Sequence, residues 1–181
     1  MLFNIKKENI FFEEIYELYF SKVYKYFAIR TGNIENTEDL TSEVFTKLIK
    51  NFKYKEVKKE QLAWWIFKVA HNTLIDYYKK EKNRTITPIE NYENTIPIEQ
   101  NIEQETHYKI AYEMANKLIQ YFSKEERDII LLKLTSGLKF SEIASIIGKN
   151  ENTIKTKYFR NLKIIKSKMW ETLLLIILFI I

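Results

Sequence analysis

Glycine and proline are nearly absent from this chain: three Gly and two Pro among 181 residues. A many-stranded β fold needs frequent tight turns, and turns draw heavily on these two residue types, so their scarcity favours long helices. Apolar residues make up 46% of the chain and aromatics 15%, enough to build packed cores and to exclude a disordered or low-complexity protein. The absence of Cys removes disulfides, thiolate nucleophiles and zinc–thiolate sites together, and two His leave little for metal or triad chemistry. No cofactor and no metal is expected.

Charge divides the chain. Residues 1–84 carry 16 basic and 12 acidic side chains, a net +4. Residues 85–107 carry no basic residue and five acidic ones, Glu90, Glu93, Glu99, Glu103 and Glu105. Residues 108–181 carry 13 basic and seven acidic, a net +6. Both prolines, Pro88 and Pro97, fall in the acidic block, where each disfavours helix at the residue before it. The fold class predicted is all-α: two basic helical domains, 1–84 and 108–170, joined by an acidic linker, 85–107. An ordinary solvated loop explains the block equally well on composition. At 171–181 a hydrophobic tail follows, with nine consecutive apolar residues at 173–181. A membrane span needs about 20, and Lys166, Lys168 and Glu171 block an upstream extension. Packing of the tail is favoured over membrane-surface contact. No secretion signal is evident at the N-terminus, so a cytoplasmic location is expected.

Within the first domain, Phe12, Ile15, Tyr16, Tyr19, Phe20, Val23, Tyr26 and Phe27 repeat at three-and-four spacing, predicting a helix over Ile10–Arg30 that Gly32 ends. A second helix, capped by Asn36 or Thr37, buries Leu40, Val44, Phe45, Leu48 and Phe52. Residues 53–60 read as a charged loop. The third helix, about Gln61–Lys82, has a core stripe of Leu62, Ile66, Val69, Thr73 and Tyr77 at 100° per residue. Opposite it fall Trp64, Lys68, His71, Ile75, Tyr78, Lys79 and Lys82, with Trp65 at the edge beside Asn72 and Asp76. Rings interleaved with lysines suit unstacked bases, the rings stacking while ammonium groups meet phosphates; packing on another domain is the plainer alternative.

In the second domain Ser123-Lys124-Glu125-Glu126 is a capping box. Downstream, FSEIASIIGKNENTIKTKYFRNLK reads as a helix-turn-helix: Ala144 at the close crossing, Gly148 in the turn, and Ile143, Ile147, Ile154 and Tyr158 as shared core. Its second helix displays Asn152, Thr153, Lys155, Thr156, Phe159, Arg160 and Lys163, polar and basic groups able to reach base edges and phosphates.

These pieces resemble bacterial sigma factors of the extracytoplasmic-function (ECF) type, within the sigma-70 family. The stretches that carry the resemblance are TEDLTSEVFTKL (37–48), WWIFKVAHNTLIDYYKK (64–80), SKEERDIILLKL (123–134) and the helix-turn-helix at 140–163. The resemblance implies a promoter-specificity subunit of bacterial core RNA polymerase. It places docking on the β′ clamp at Asp39, Leu40, Ser42 and Glu43, with Ser42 where the family often has Gln. Capture and melting of the −10 element would fall to Trp64, Trp65, Lys68, His71, Asn72, Asp76 and Lys79, with loop 53–60 holding a flipped base. Reading of the −35 element would fall to Asn152, Thr153, Lys155, Thr156, Lys157 and Arg160. The acidic linker would enter the RNA exit path, the second domain would meet the β flap, and an anti-sigma factor is an expected partner. Two other readings remain: a helix-turn-helix regulator that never engages polymerase, and a membrane-proximal helical interaction protein. An enzyme is least expected, since Glu125, Glu126, Asp39 and Glu43 are better explained by capping and partner contact than by acid–base pairs.

Overall fold

The computed structural model describes residues 2–51, 61–84 and 117–180, with side chains placed over 12–50, 61–82 and 117–169. The predicted loop 53–60 and linker 85–107 lie outside the described residues. The described residues contain no strand, and the fold is all-α. The chain divides into two units, Met1–Ile98 and Glu99–Ile181.

The first unit is built from α1 (Leu2–Thr31), α2 (Ile34–Asn51) and α3 (Leu62–Arg84). Helix α1 begins eight residues before the predicted start at Ile10, and its buried face is Ile15, Tyr19, Val23, Tyr26, Phe27 and Ala28. Gly32 sits at φ 63°, a left-handed conformation that an L side chain adopts only at a cost, and its N–H returns to the Ala28 carbonyl at 3.0 Å. The cap of α2 is Asn33 rather than Asn36 or Thr37: its Oδ1 accepts from the Asn36 N–H at 2.9 Å. Thr37 is instead fully buried inside the helix, where its hydroxyl reaches the Asn33 carbonyl at 2.7 Å and the Thr31 hydroxyl at 2.8 Å. Thr41, also fully buried, donates to the Thr37 carbonyl at 2.7 Å. These short bonds satisfy the hydroxyls without water and fix the corner between α1 and α2.

Helix α3 buries Leu62, Ile66, Phe67, Ala70, His71, Thr73 and Leu74. This arc is rotated by roughly 60° from the stripe read off the sequence. Val69 and Tyr77 are only half-buried. The reason is that α3 packs on both α1 and α2, so its apolar arc is broad and has two centres.

In the second unit, α4 (Lys124–Ser136), α5 (Phe140–Ile147) and α6 (Glu151–Ile180) surround a core of Ile129, Leu131, Leu132, Leu138, Ile143, Ile146 and Ile154. Ile146, not Ile147, points inward beside Ala144. The predicted capping box forms: the Ser123 hydroxyl accepts from the Glu126 N–H, and the Glu126 carboxylate accepts from the Ser123 N–H at 3.0 Å. Gly137 and Gly148, both at φ 74°, end α4 and α5. Asn150 Oδ1 accepts from the Asn152 N–H at 2.8 Å and starts α6. Helix α6 runs unbroken for 30 residues through the apolar tail to Ile180. No helix among the described residues is long and apolar enough to cross a membrane.

Candidate polymerase and nucleic-acid interfaces

Three surfaces hold the residues of interest. On α2, Asp39, Ser42 and Glu43 are exposed. Leu40 is not: at 5% exposure it belongs to the core, so it supports that face from beneath and cannot meet a partner directly. The same face carries Ile49, 61% exposed and outside the core stripe read from the sequence. Glu43 pairs with Lys47 at 2.6 Å, and Lys47 also donates to Thr73 of α3 at 2.9 Å, so the acidic face of α2 is tied to the next helix.

On α3, the solvent stripe is Gln61, Trp65, Lys68, Asn72, Asp76 and Lys79, spaced by three and four residues. Trp65 and Lys68 are half-buried within it; Asn72, Asp76 and Lys79 are exposed. Lys79 pairs with Asp76 at 3.6 Å, an exposed contact of little strength. The rotation of the buried arc brings Trp65 within this stripe and leaves Trp64, also half-buried, at its margin. It removes His71 altogether. His71 is 5% exposed, its Nδ1 lies 3.2 Å from the Tyr26 hydroxyl, and Tyr26 packs edge-on against Phe67. Burial, then the nearby charges of Lys68 and Arg30, lower the His71 pKa from 6.5 to about 4, so the ring is neutral near pH 7. Its assignment to DNA binding is therefore corrected to a core role. Beside it the Tyr78 hydroxyl donates to the Arg30 carbonyl at 2.6 Å, and the Arg30 guanidinium lies over the Tyr78 ring. Together these contacts clamp α3 to the end of α1.

On α6, Asn152, Thr153, Thr156, Phe159, Arg160 and Lys163 are exposed, as the sequence pattern predicts. Lys155 and Lys157 are half-buried. Three of the basic members are already paired. Lys155 meets Glu151 at 2.7 Å on its own helix, Lys157 meets Glu125 at 2.6 Å, and Arg160 meets Glu126. Burial alone would raise the Glu126 carboxyl. Hydrogen bonds from the Ser123 hydroxyl and N–H, and the Arg160 guanidinium, bring it below the ordinary glutamate range. Capping was legible in the sequence for these two glutamates; the ion pairs, spanning 32 and 34 residues, were not.

The first unit therefore presents an aromatic–lysine stripe and the second a helix-turn-helix. Residues 11–84 match the Sigma-70 region 2 family, and residues 112–165 match Sigma-70, region 4. The chain belongs to the sigma-70 family, and it is of the ECF type. As a sigma factor it works with core RNA polymerase and promoter DNA in transcription initiation, which sets aside the reading as a regulator independent of polymerase. Among its relatives, the RNA polymerase sigma factor SigV of Bacillus subtilis is 27% identical over 159 residues, covering 87% of this chain and 85% of SigV. The ECF RNA polymerase sigma factor BldN of Streptomyces coelicolor is 24% identical over 149 residues, covering 82% of this chain and 56% of BldN, so this sigma factor spans little more than half of that relative. The fold resembles the sigma factor RpoE of Bartonella quintana, solved with the anti-sigma factor NepR, at a TM-score of 0.62 and 17% identity over 86% of this chain and 94% of that one.

Proposed function

We propose that the three surfaces divide the work of promoter recognition. The acidic face of α2, with Asp39, Ser42, Glu43 and Ile49, docks on the β′ clamp. The stripe on α3 captures the opened −10 strand, Trp65 stacking on a base while Lys68 and Lys79 meet phosphates and Asn72 and Asp76 reach base edges. The first turns of α6 enter the major groove of the −35 element. There Asn152, Thr153 and Thr156 face base edges, and Lys155, Lys157 and Arg160 face phosphates. The domains are 1–84, 108–170 and the acidic segment 85–107, whose five carboxylates suit a channel built for RNA phosphates. The protein carries no catalytic residue, because base capture offsets the cost of unpairing and polymerase performs the chemistry. It acts in the cytoplasm, and RpoE bound to NepR supports an anti-sigma partner for this chain as well.

The observation that carries this reading is the solvent stripe that includes Trp65, on the helix that closes the region 2 match. Docking is tested apart from DNA. The charge reversals Asp39→Lys with Glu43→Lys are expected to weaken binding to core polymerase by roughly tenfold or more, since like charges opposed across an interface cost several kcal/mol. Both positions are exposed, and loss of the half-exposed Glu43–Lys47 pair should lower the unfolding midpoint only modestly. Unchanged binding in a titration against labelled core enzyme would remove α2 from the interface.

A further inference from the structure

We propose that Glu125 and Glu126 set how strongly the second unit holds duplex DNA, by keeping Lys157 and Arg160 on internal carboxylates until phosphates displace them. The proposal rests on the reading of α6 as the DNA-facing helix and adds a control that reading does not contain. Lys157 Nζ lies 2.6 Å from Glu125 Oε1, with the two side chains only 31% and 32% exposed, so water screens this pair poorly. Arg160 binds Glu126, whose side chain is 14% exposed. The Glu126 carboxylate cannot follow Arg160 toward a ligand, because the capping box anchors it: the Ser123 N–H donates to it at 3.0 Å and the Ser123 hydroxyl at 2.8 Å. Both contacts join α4 to α6 across the unit, unlike the more exposed pair of Lys155 with Glu151 on α6 itself.

The consequence is electrostatic. Counted along the sequence, Lys155, Lys157 and Arg160 give the first three turns of α6 three positive charges. In the folded unit each has a carboxylate within contact, and the local charge offered to a phosphate backbone is far smaller. A phosphate that meets Lys157 or Arg160 competes with a glutamate for the same positive charge. The chain thus avoids being held on arbitrary duplex, where binding is almost wholly a phosphate–cation matter.

Glutamine is close in shape to glutamate and removes only the charge. At position 126 it still completes a capping box, and position 125 lies outside that box. The experiment measures the affinity of the full chain for a mixed-sequence DNA duplex across a salt series. Glu125→Gln with Glu126→Gln is expected to tighten binding roughly three- to tenfold at low salt and to steepen the slope of log affinity on log salt by about one to two. Glu125→Gln alone should give a smaller change in the same direction. Glu142→Gln is the matched control: that carboxylate accepts from the Lys139 N–H at 2.7 Å and makes no ion pair among the described contacts, so the affinity should hardly move. Affinity unchanged or weakened in the double variant overturns the proposal, as does equal tightening by Glu142→Gln, which would assign the effect to net charge. Lys155→Ala reports on the underlying reading. If it weakens binding while the glutamine variants do not tighten it, only the glutamate control fails; if it leaves binding unchanged, α6 is not the DNA-facing helix and both fail.

Discussion

Trp65→Ala is expected to lower promoter opening by roughly 5- to 150-fold while core polymerase binding stays near the parent value. The range follows from the loss of one stacked base, worth about 1–3 kcal/mol. The geometry singles out this ring: Trp65 lies between Gln61, Lys68 and Asn72 on the solvent side of α3, so its loss opens no large cavity in the core. Trp64 stands at the margin of the same stripe, and its alanine variant is expected to affect opening less. Permanganate reactivity of unpaired thymines around the start site reads opening directly, and a pull-down reads core binding. Equal loss of both in Trp65→Ala would make the ring a structural element. A larger opening defect in Trp64→Ala would exchange the roles of the two tryptophans.

The second large effect is on stability, and its direction follows from His71. The folded state holds this imidazole near pKa 4, chiefly by burial, while the unfolded chain returns it to about 6.5. Between these values the unfolded state binds the extra proton, so stability rises with pH across that window. Above pH 6.5 both states are neutral and the contribution is complete. As pH falls through 6.5 toward 4 it drains away, by about 3 kcal/mol in all. Unfolding of the first unit can be followed by tryptophan fluorescence in a Trp170→Phe background, which leaves Trp64 and Trp65 as reporters. The midpoint should drop steeply between pH 6.5 and 4.5. In His71→Gln the baseline stability should fall, since the Tyr26 contact is disturbed, but the pH slope over that window should largely disappear. A slope that persists in His71→Gln would trace the effect to carboxylates instead.

These two residues also mark how far the sequence could be read. Features set by local chemistry were legible: the helix ends at Gly32 and Gly148, the Ser123–Glu126 capping box, and the exposed polar run that opens α6. So was the family, because four stretches occurred in order. What failed was the angular position of α3. A helical wheel assumes one buried stripe, whereas α3 packs on two neighbours, and the wider arc swept in His71 and brought Trp65 within the solvent stripe. Leu40 shows the two kinds of reading apart: the periodicity of α2 placed it in the core, where it lies, while the motif placed it on the docking face, since a motif carries a residue's place in the chain but not its depth. The pairing of Lys157 and Arg160 with Glu125 and Glu126 depends on how α4 and α6 cross, which no local pattern encodes.

The central claim is that this chain confers promoter choice on core RNA polymerase. Purified chain mixed with bacterial core enzyme and genomic DNA, followed by sequencing of transcript 5′ ends, tests it most directly. The expected result is a small set of start sites absent with core enzyme alone, sharing one upstream pair of elements at fixed spacing. Start sites identical with and without the chain would contradict the claim.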